Sequence, residues 1–250
     1  MSIFLIMRIL GISIHQKLNH KILLDNCSIS IKQGEITGLL GPNGAGKTSL
    51  FSIFSGVLPS FSGNIFYSTK NINTYQIEQR SQMGIKYVPQ DNNLLLDLTV
   101  YSNLASILEV FYLSSCQINN KISLLLDLLN ISHLSQYKCK MLSGGEKKKV
   151  ELAKIFLCQP NFILLDEPFS GIDPISIFEI QEFLLKMKSW NIGVLISDHN
   201  VNETLKIIDR GYVIYKGCLL AHGTPLDLHT NYEVRNYYLG NQNKIEDAIF

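Results

Sequence analysis

The sequence predicts an α/β fold in which a strand–loop–helix core is interrupted by a helical lobe. Three observations predict it. Residues 36–55, ITGLLGPNGAGKTSLFSIFS, read as an apolar strand, a glycine-rich loop and a helix. Residues 162–167, FILLDE, read as a second apolar strand that ends in two adjacent carboxylates. Between them, from about residue 92 to 158, strand signals fade and helical periodicity takes over.

Composition sets the limits. A chain of 250 residues, 46% hydrophobic and 17% charged, can bury a core in one large domain or two lobes. A net charge of +1 argues against a nucleic-acid surface, so no nucleic-acid partner is expected. The five cysteines (27, 116, 139, 158 and 218) show no paired spacing, which fits a reducing cytosol rather than a disulfide or zinc framework. The apolar run at residues 3–7 is too short for a signal or membrane segment, and no other run reaches membrane length. A second start at Met7 would make residues 1–6 a loose extension.

Taken in order, residues 8–14 and 27–31 alternate apolar and polar and read as half-buried strands. Gly56 ends the helix after the glycine loop, and Pro59 prevents its resumption. Residues 63–67 and 84–88 are short strands. Residues 100–113 and 118–129 carry apolar side chains at i, i+3 and i+4. Ser143 and Glu146 have capping-box spacing, so a helix starts near Ser143 and runs to Leu157. Residues 175–188 form an amphipathic helix with Ile175, Phe178, Phe183, Leu184 and Met187 expected on one face. Residues 192–197 are a buried strand, 200–208 look helical, and 211–215 with 218–221 form a hairpin around Lys216-Gly217. Residues 223–225 open a C-terminal segment, helical to about Leu239, and residues 241–250 are polar and frayed.

The chemistry starts at the glycine loop. Gly41-x-x-x-x-Gly46-Lys47-Thr48 matches the phosphate-loop pattern at every fixed position. Backbone N–H groups curl around an anion, and the helix N-terminus adds about half a positive charge. The cradle runs over Gly41, Pro42, Asn43, Gly44, Ala45, Gly46, Lys47, Thr48 and Ser49. Lys47 is placed to reach the outer phosphates, and the Thr48 hydroxyl to ligate Mg2+. At the end of the second apolar strand, Asp166 would hold the metal and Glu167 would act as general base on an attacking water. These motifs alone imply a bound triphosphate and Mg2+, and do not separate a kinase from a GTPase or a transporter motor.

With Leu142-Ser143-Gly144-Gly145-Glu146 added to these motifs, residues 8–230 resemble the nucleotide-binding subunits of ABC transporters. The resemblance implies the P-loop NTPase fold of ABC ATPases: a RecA-like α/β core with an antiparallel β subdomain and an inserted helical subdomain. On that plan 1–90 with 159–228 form the core, 91–158 the helical subdomain with the signature motif, and 229–250 a tail. It implies ATP hydrolysis within a homodimer that sandwiches nucleotide head to tail, with Ser143, Gly144 and Gly145 of one copy meeting the γ-phosphate held by the other. Gln90 matches the loop glutamine that senses Mg2+ and the attacking water, Asp173 lies in the segment that crosses the dimer interface, and His199 matches the γ-phosphate switch histidine.

It also implies transmembrane permease partners and a place on the cytoplasmic face of the inner membrane. The runs FSGIDPIS and SDHNV are most like the lipopolysaccharide-export branch, and NYYLG resembles that branch's tail. The alternatives are branched-chain amino-acid or lipid-asymmetry transporter ATPases, or a soluble ABC-type ATPase without a permease. Two departures stand out. Leu18 occupies the position where the family carries an aromatic that stacks on adenine, with only His15 and His20 nearby, so weaker stacking and a relaxed nucleotide preference are expected. Residues 95–97 are Leu-Leu-Asp, where the export branch carries basic residues facing its partner.

Overall fold

The computed structural model describes residues 7–19, 21–59, 61–91, 93–111 and 113–239. The expectations for residues 1–6, for His20 and for the frayed end at 241–250 fall outside these, as does the last residue of NYYLG.

Two sheets enclose the first helix. The six-stranded sheet has the order β10-β9-β3-β8-β7-β6. Its strands are β3 (Ile36–Leu40), β6 (Ile85–Val88), β7 (Phe162–Asp166), β8 (Gly193–Ser197), β9 (Arg210–Tyr215) and β10 (Cys218–Gly223). All neighbours pair in parallel except the β9–β10 hairpin. The sequence alternation in β7 shows why the interior strands are apolar throughout. Phe162 and Leu164 enter the cluster beneath the second sheet, whereas Ile163 and Leu165 enter the cluster beneath the helices. A strand covered on both faces has no solvent side to leave polar.

The second sheet is antiparallel, in the order β2-β1-β4-β5. It is built from β1 (Arg8–Leu18), β2 (Lys21–Lys32), β4 (Ser62–Tyr67) and β5 (Lys70–Asn71). Strands β1 and β2 pair over nearly their whole length, so both run well beyond the half-buried stretches their alternation predicts. Helix α1 (Lys47–Ser55) lies between the sheets and buries Leu50, Phe51, Ile53 and Phe54 completely. It ends, as expected, at Gly56, whose φ of 84° places it in the left-handed cap conformation.

Below α1, the short helix α2 (Ile77–Gln82) carries Arg80. This guanidinium is buried, and it donates to the carbonyls of Ile53 and Phe54 at the end of α1 and to those of Ile72 and Tyr75. Burial lowers its pKa to about 10.

The inserted segment contains α3 (Val100–Glu109), α4 (Ser115–Leu128) and α5 (Gly144–Leu157). Their buried side chains join the same apolar cluster as β7, β8 and α6 (Pro174–Ser189). Helix α5 starts where the capping box predicts. Ser143 Oγ accepts from Glu146 N, and Glu146 Oε2 accepts from Ser143 N.

Helix α6 corrects an expectation. Phe183, Leu184 and Met187 are buried, but Ile175 and Phe178 are 75% and 61% exposed. The inward face uses Ile177 and Ile180 instead. The stretch expected to be helical at 200–208 is only α7 (Val201–Leu205), and the C-terminal segment breaks into α8 (Pro225–Thr230), α9 (Tyr232–Val234) and a π-helical turn, Arg235–Leu239.

Candidate functional site

The C-terminal ends of β3, β6, β7 and β8 lie side by side, because the parallel register aligns Val88 with Leu165, Asp166 with Ser197, and Gly38 with Ile196. Every loop that leaves this edge carries one of the expected site residues. Open α/β sheets bind ligands at such an edge.

The loop after β3 is shaped by its neighbours. Gly41 has φ 148° and Gly46 φ 113°. A Cβ on Gly41 would stand 2.2 Å from the carbonyl oxygen of Ile214, and one on Gly46 2.7 Å from that of Leu23. Glycine is therefore required at both positions by the close approach of β9 and β2. Helix α1 opens at Lys47 with no side-chain cap and no acidic residue in its first turn, so its first N–H groups remain available to an anion. Thr48 is exposed and Ser49 half-buried beside it. Pro42, Asn43, Gly44 and Ala45 complete the loop, and Ala45 O accepts from Gly217 N at 3.0 Å.

Lys47 is buried, and its Nζ donates to Gly41 O at 2.7 Å and Pro42 O at 3.1 Å. Burial pulls the ammonium below its ordinary range, and the charges of Glu167, Asp166 and Asp198 oppose that shift. Three carboxylates thus face one buried cation.

Asp166 closes β7 and is buried, with Oδ1 accepting from Ser197 Oγ at 2.5 Å. The Tyr87 hydroxyl contacts Ser52 and Asp166, and burial first, then the Asp166 charge, pushes its pKa up to about 12. Glu167 takes the left-handed conformation with φ 51°, and its N–H donates to Ser197 O at 2.8 Å. Its Oε2 accepts from Gln90 Nε2 at 2.9 Å and lies 3.7 Å from His199 Nδ1. A non-glycine residue held left-handed costs about 1–2 kcal/mol, and here the turn aims the carboxylate at the loop from β6.

Asp198 is a member of this cluster that the motifs alone did not single out. It is fully buried and accepts from Phe169 N at 2.7 Å and Asn200 N at 2.8 Å, tying the loop after β7 to the loop after β8. Burial raises its carboxyl despite those N–H groups. The available signal was an acid closing an otherwise apolar strand, the same signal that marks Asp166.

Ser143, Gly144, Gly145 and Asp173 form a separate cluster at the starts of α5 and α6. A Cβ on Gly145 would lie 2.2 Å from Ser176 Oγ, and one on Gly144 3.4 Å from Gly171 O. Asp173 caps α6, accepting from Ser176 N at 2.9 Å, and that bond holds its carboxyl below the usual range. Among the described residues no hydrogen bond or ion pair joins this cluster to the first.

Comparison with known proteins agrees with this geometry. Residues 24–170 match the family model described as "ABC transporter". The chain is 40% identical over 218 residues to the lipopolysaccharide export system ATP-binding protein LptB of Escherichia coli K12, covering 87% of this chain and 90% of that one. It is 40% identical over 223 residues to LptB of Haemophilus influenzae, covering 89% and 92%. The crystal structure of the ADP conformation of MJ1267, an ATP-binding cassette of an ABC transporter, superposes with a TM-score of 0.82 at 27% identity, over 94% of this chain and 99% of that one. The two packed sheets, the phosphate loop at the strand edge and this degree of likeness converge: the chain belongs to the ABC transporter family, as an ATP-binding subunit that hydrolyses ATP.

Proposed function

We propose that this chain powers export of lipopolysaccharide or a related lipid, as one of two ATPase subunits bound to transmembrane permeases on the cytoplasmic face of the inner membrane. For the chemistry, one observation carries the reading. The Glu167 carboxylate is held by Gln90, faces His199 and stands beside a buried lysine at the mouth of a phosphate loop. For the cargo, the support is the 40% identity to LptB.

The residues fit ATP and Mg2+. The cradle of 41–49 is too tight for side chains at Gly41 and Gly46. The Asp166 charge reaches Lys47, and Gln90 bonds to Glu167, whose charge also acts on that lysine. Among the described residues no three His, Cys, Asp or Glu side chains converge as a metal site. Mg2+ needs no such cage, because it is usually held by one or two protein oxygens together with phosphates and water. When bound, Mg2+ would neutralise charge between the outer phosphates.

The roles then divide as follows. Lys47 exchanges its loop carbonyls for phosphate oxygens. Thr48, Asp166 and Gln90 would hold the metal, and Gln90 links that position to Glu167 through its bond to the carboxylate. Glu167 takes the proton of the attacking water, and His199 contacts the γ-phosphate. Ser143, Gly144, Gly145 and Asp173 act on the nucleotide of a second copy, in a head-to-tail homodimer.

The core, on this reading, comprises 1–90 and 159–228, the helical subdomain 91–158 and the tail 229–250. Among the described residues no helix is long and apolar enough to cross a membrane, so permeases of the LptF/LptG kind would supply the membrane path. The exposed Leu95, Leu96 and Leu98 beyond Gln90 offer them an apolar contact. The acidic Asp97 is paired with Lys140 at 2.8 Å, which offsets the charge reversal there. Co-purification with candidate permeases tests the cargo reading. Recovery with LptF/LptG-like subunits is expected, and recovery only with an amino-acid permease would overturn it.

A further inference from the structure

We propose that Gln16 is a nucleoside-binding residue, its carboxamide hydrogen-bonding the base or ribose of the nucleotide whose phosphates the 41–48 loop holds. This rests on the phosphate-loop reading above. Gln16 is only 3% exposed, yet its Oε1 is buried with no hydrogen-bond partner. Among the described residues only Ser30 Oγ shares that condition. A buried carbonyl oxygen left unpaired costs about 1–3 kcal/mol, so a group kept in that state needs a reason.

Its position supplies one. Strand β1 crosses α1 from the helix's C-terminal end towards its N-terminal end. At Gly11 a Cβ would lie 2.7 Å from the ring of Phe54, in the last turn of α1. Five residues on, Gln16 pairs with Leu24, whose Cδ2 would lie 2.8 Å from a Cβ on Gly46, the residue just before α1. Gln16 therefore sits over the phosphate-loop end of the helix. Leu18 follows two residues later, at the end of the same strand.

Leu18 is 57% exposed and offers a base only an apolar contact. The nearby ring of His15 is engaged elsewhere, with Nδ1 2.9 Å from Asp25 and accepting from Asn26 N at 3.2 Å. With no aromatic at Leu18, a polar contact takes over part of the anchoring. A carboxamide combines a donor and an acceptor in one group and can turn over to suit either purine edge or a ribose hydroxyl.

Titration of the full chain with ATP and, separately, with inorganic tripolyphosphate, both with Mg2+, tests this. Gln16→Met and Gln16→Leu should weaken ATP about 3- to 10-fold, the range of one neutral hydrogen bond, and leave tripolyphosphate unchanged. The thermal midpoint should hold or rise, since the unpaired oxygen is gone. An equal loss for both ligands in both variants, or no loss for ATP in either, would overturn the proposal. Lys47→Ala should weaken both ligands. If it weakened neither, the phosphate-loop reading itself would fall and the proposal with it, a result distinct from the other two.

Discussion

The two clusters of site residues are built in opposite ways. In the first, Lys47, Gln90, Asp166, Glu167, Asp198 and His199 come from four loops, and all but Lys47, which bonds within its own loop, make polar contacts across them. In the second, Ser143 bonds to Glu146 three residues on, and Asp173 to Ser176 three residues on. The first is wired by tertiary contacts and is assembled within one chain. The second satisfies its side chains locally and leaves the starts of α5 and α6 facing outwards. The difference teaches that conformity to a motif means different things in the two places. Gly145 has a sufficient reason within its own chain, because Ser176 leaves no room for a Cβ. Its identity alone therefore says nothing about a role in trans, whereas the Gln90–Glu167–His199 arrangement has no purpose in folding that a plain turn would not serve.

The sharpest way to break the comparison is at Glu167. Glu167→Gln keeps the shape and its contact distance to Gln90 but removes the base. Phosphate release should fall by about 10²- to 10⁴-fold while nucleotide binding persists. Release within a few-fold of the unsubstituted chain would remove Glu167 from the chemistry.

Arg80 sharpens the picture at the other end of α1. Arg80→Met strips donors from the Ile53 and Phe54 carbonyls. Ile53 O keeps its bond from Gly56 N, so the cost should be about 1–3 kcal/mol, that of one buried acceptor left unpaired, read as a lower denaturant midpoint. An unchanged midpoint would mean that water replaces the guanidinium.

These two residues also mark what the sequence could and could not reveal. The glycine loop, the strand-end acids and the Ser143 cap were legible because each is a local pattern with its cause in adjacent residues. Arg80 was not, because the α1 carbonyls it bonds lie 26 or more residues away. Helix α2 was missed because its residues, IEQRSQ, carry no apolar stripe. The face of α6 was misjudged for the converse reason. Ile175 and Phe178 fit a helical period as well as Ile177 and Ile180 do, and only the neighbouring sheet decides which stripe turns inward.

At the second cluster, Gly145→Ala forces a Cβ against Ser176 and should cost about 1–3 kcal/mol, as overpacking does. Adding Ser176→Gly should relieve the clash and raise the thermal midpoint again, short of full recovery by the roughly 0.5–1 kcal/mol that glycine costs inside a helix. If phosphate release returned along with it, Gly145 would be a packing residue only. Release that stays low in the double variant would support its part in trans. Ser143→Ala removes one helix cap and should cost about 1 kcal/mol, with a larger effect on hydrolysis than that stability loss explains. A proportionate effect would reduce Ser143 to a cap.

The central claim is that the loop at 41–48 is half of a site whose other half is the Ser143 cluster of a second copy. Sedimentation of the Glu167→Gln chain with and without Mg2+ and ATP tests it most directly. The account predicts a monomer without nucleotide and a stable dimer with it, and Ser143→Arg in the same chain should abolish the dimer while ATP still binds. A chain that binds ATP and stays monomeric, or a dimer indifferent to Ser143→Arg, would contradict it.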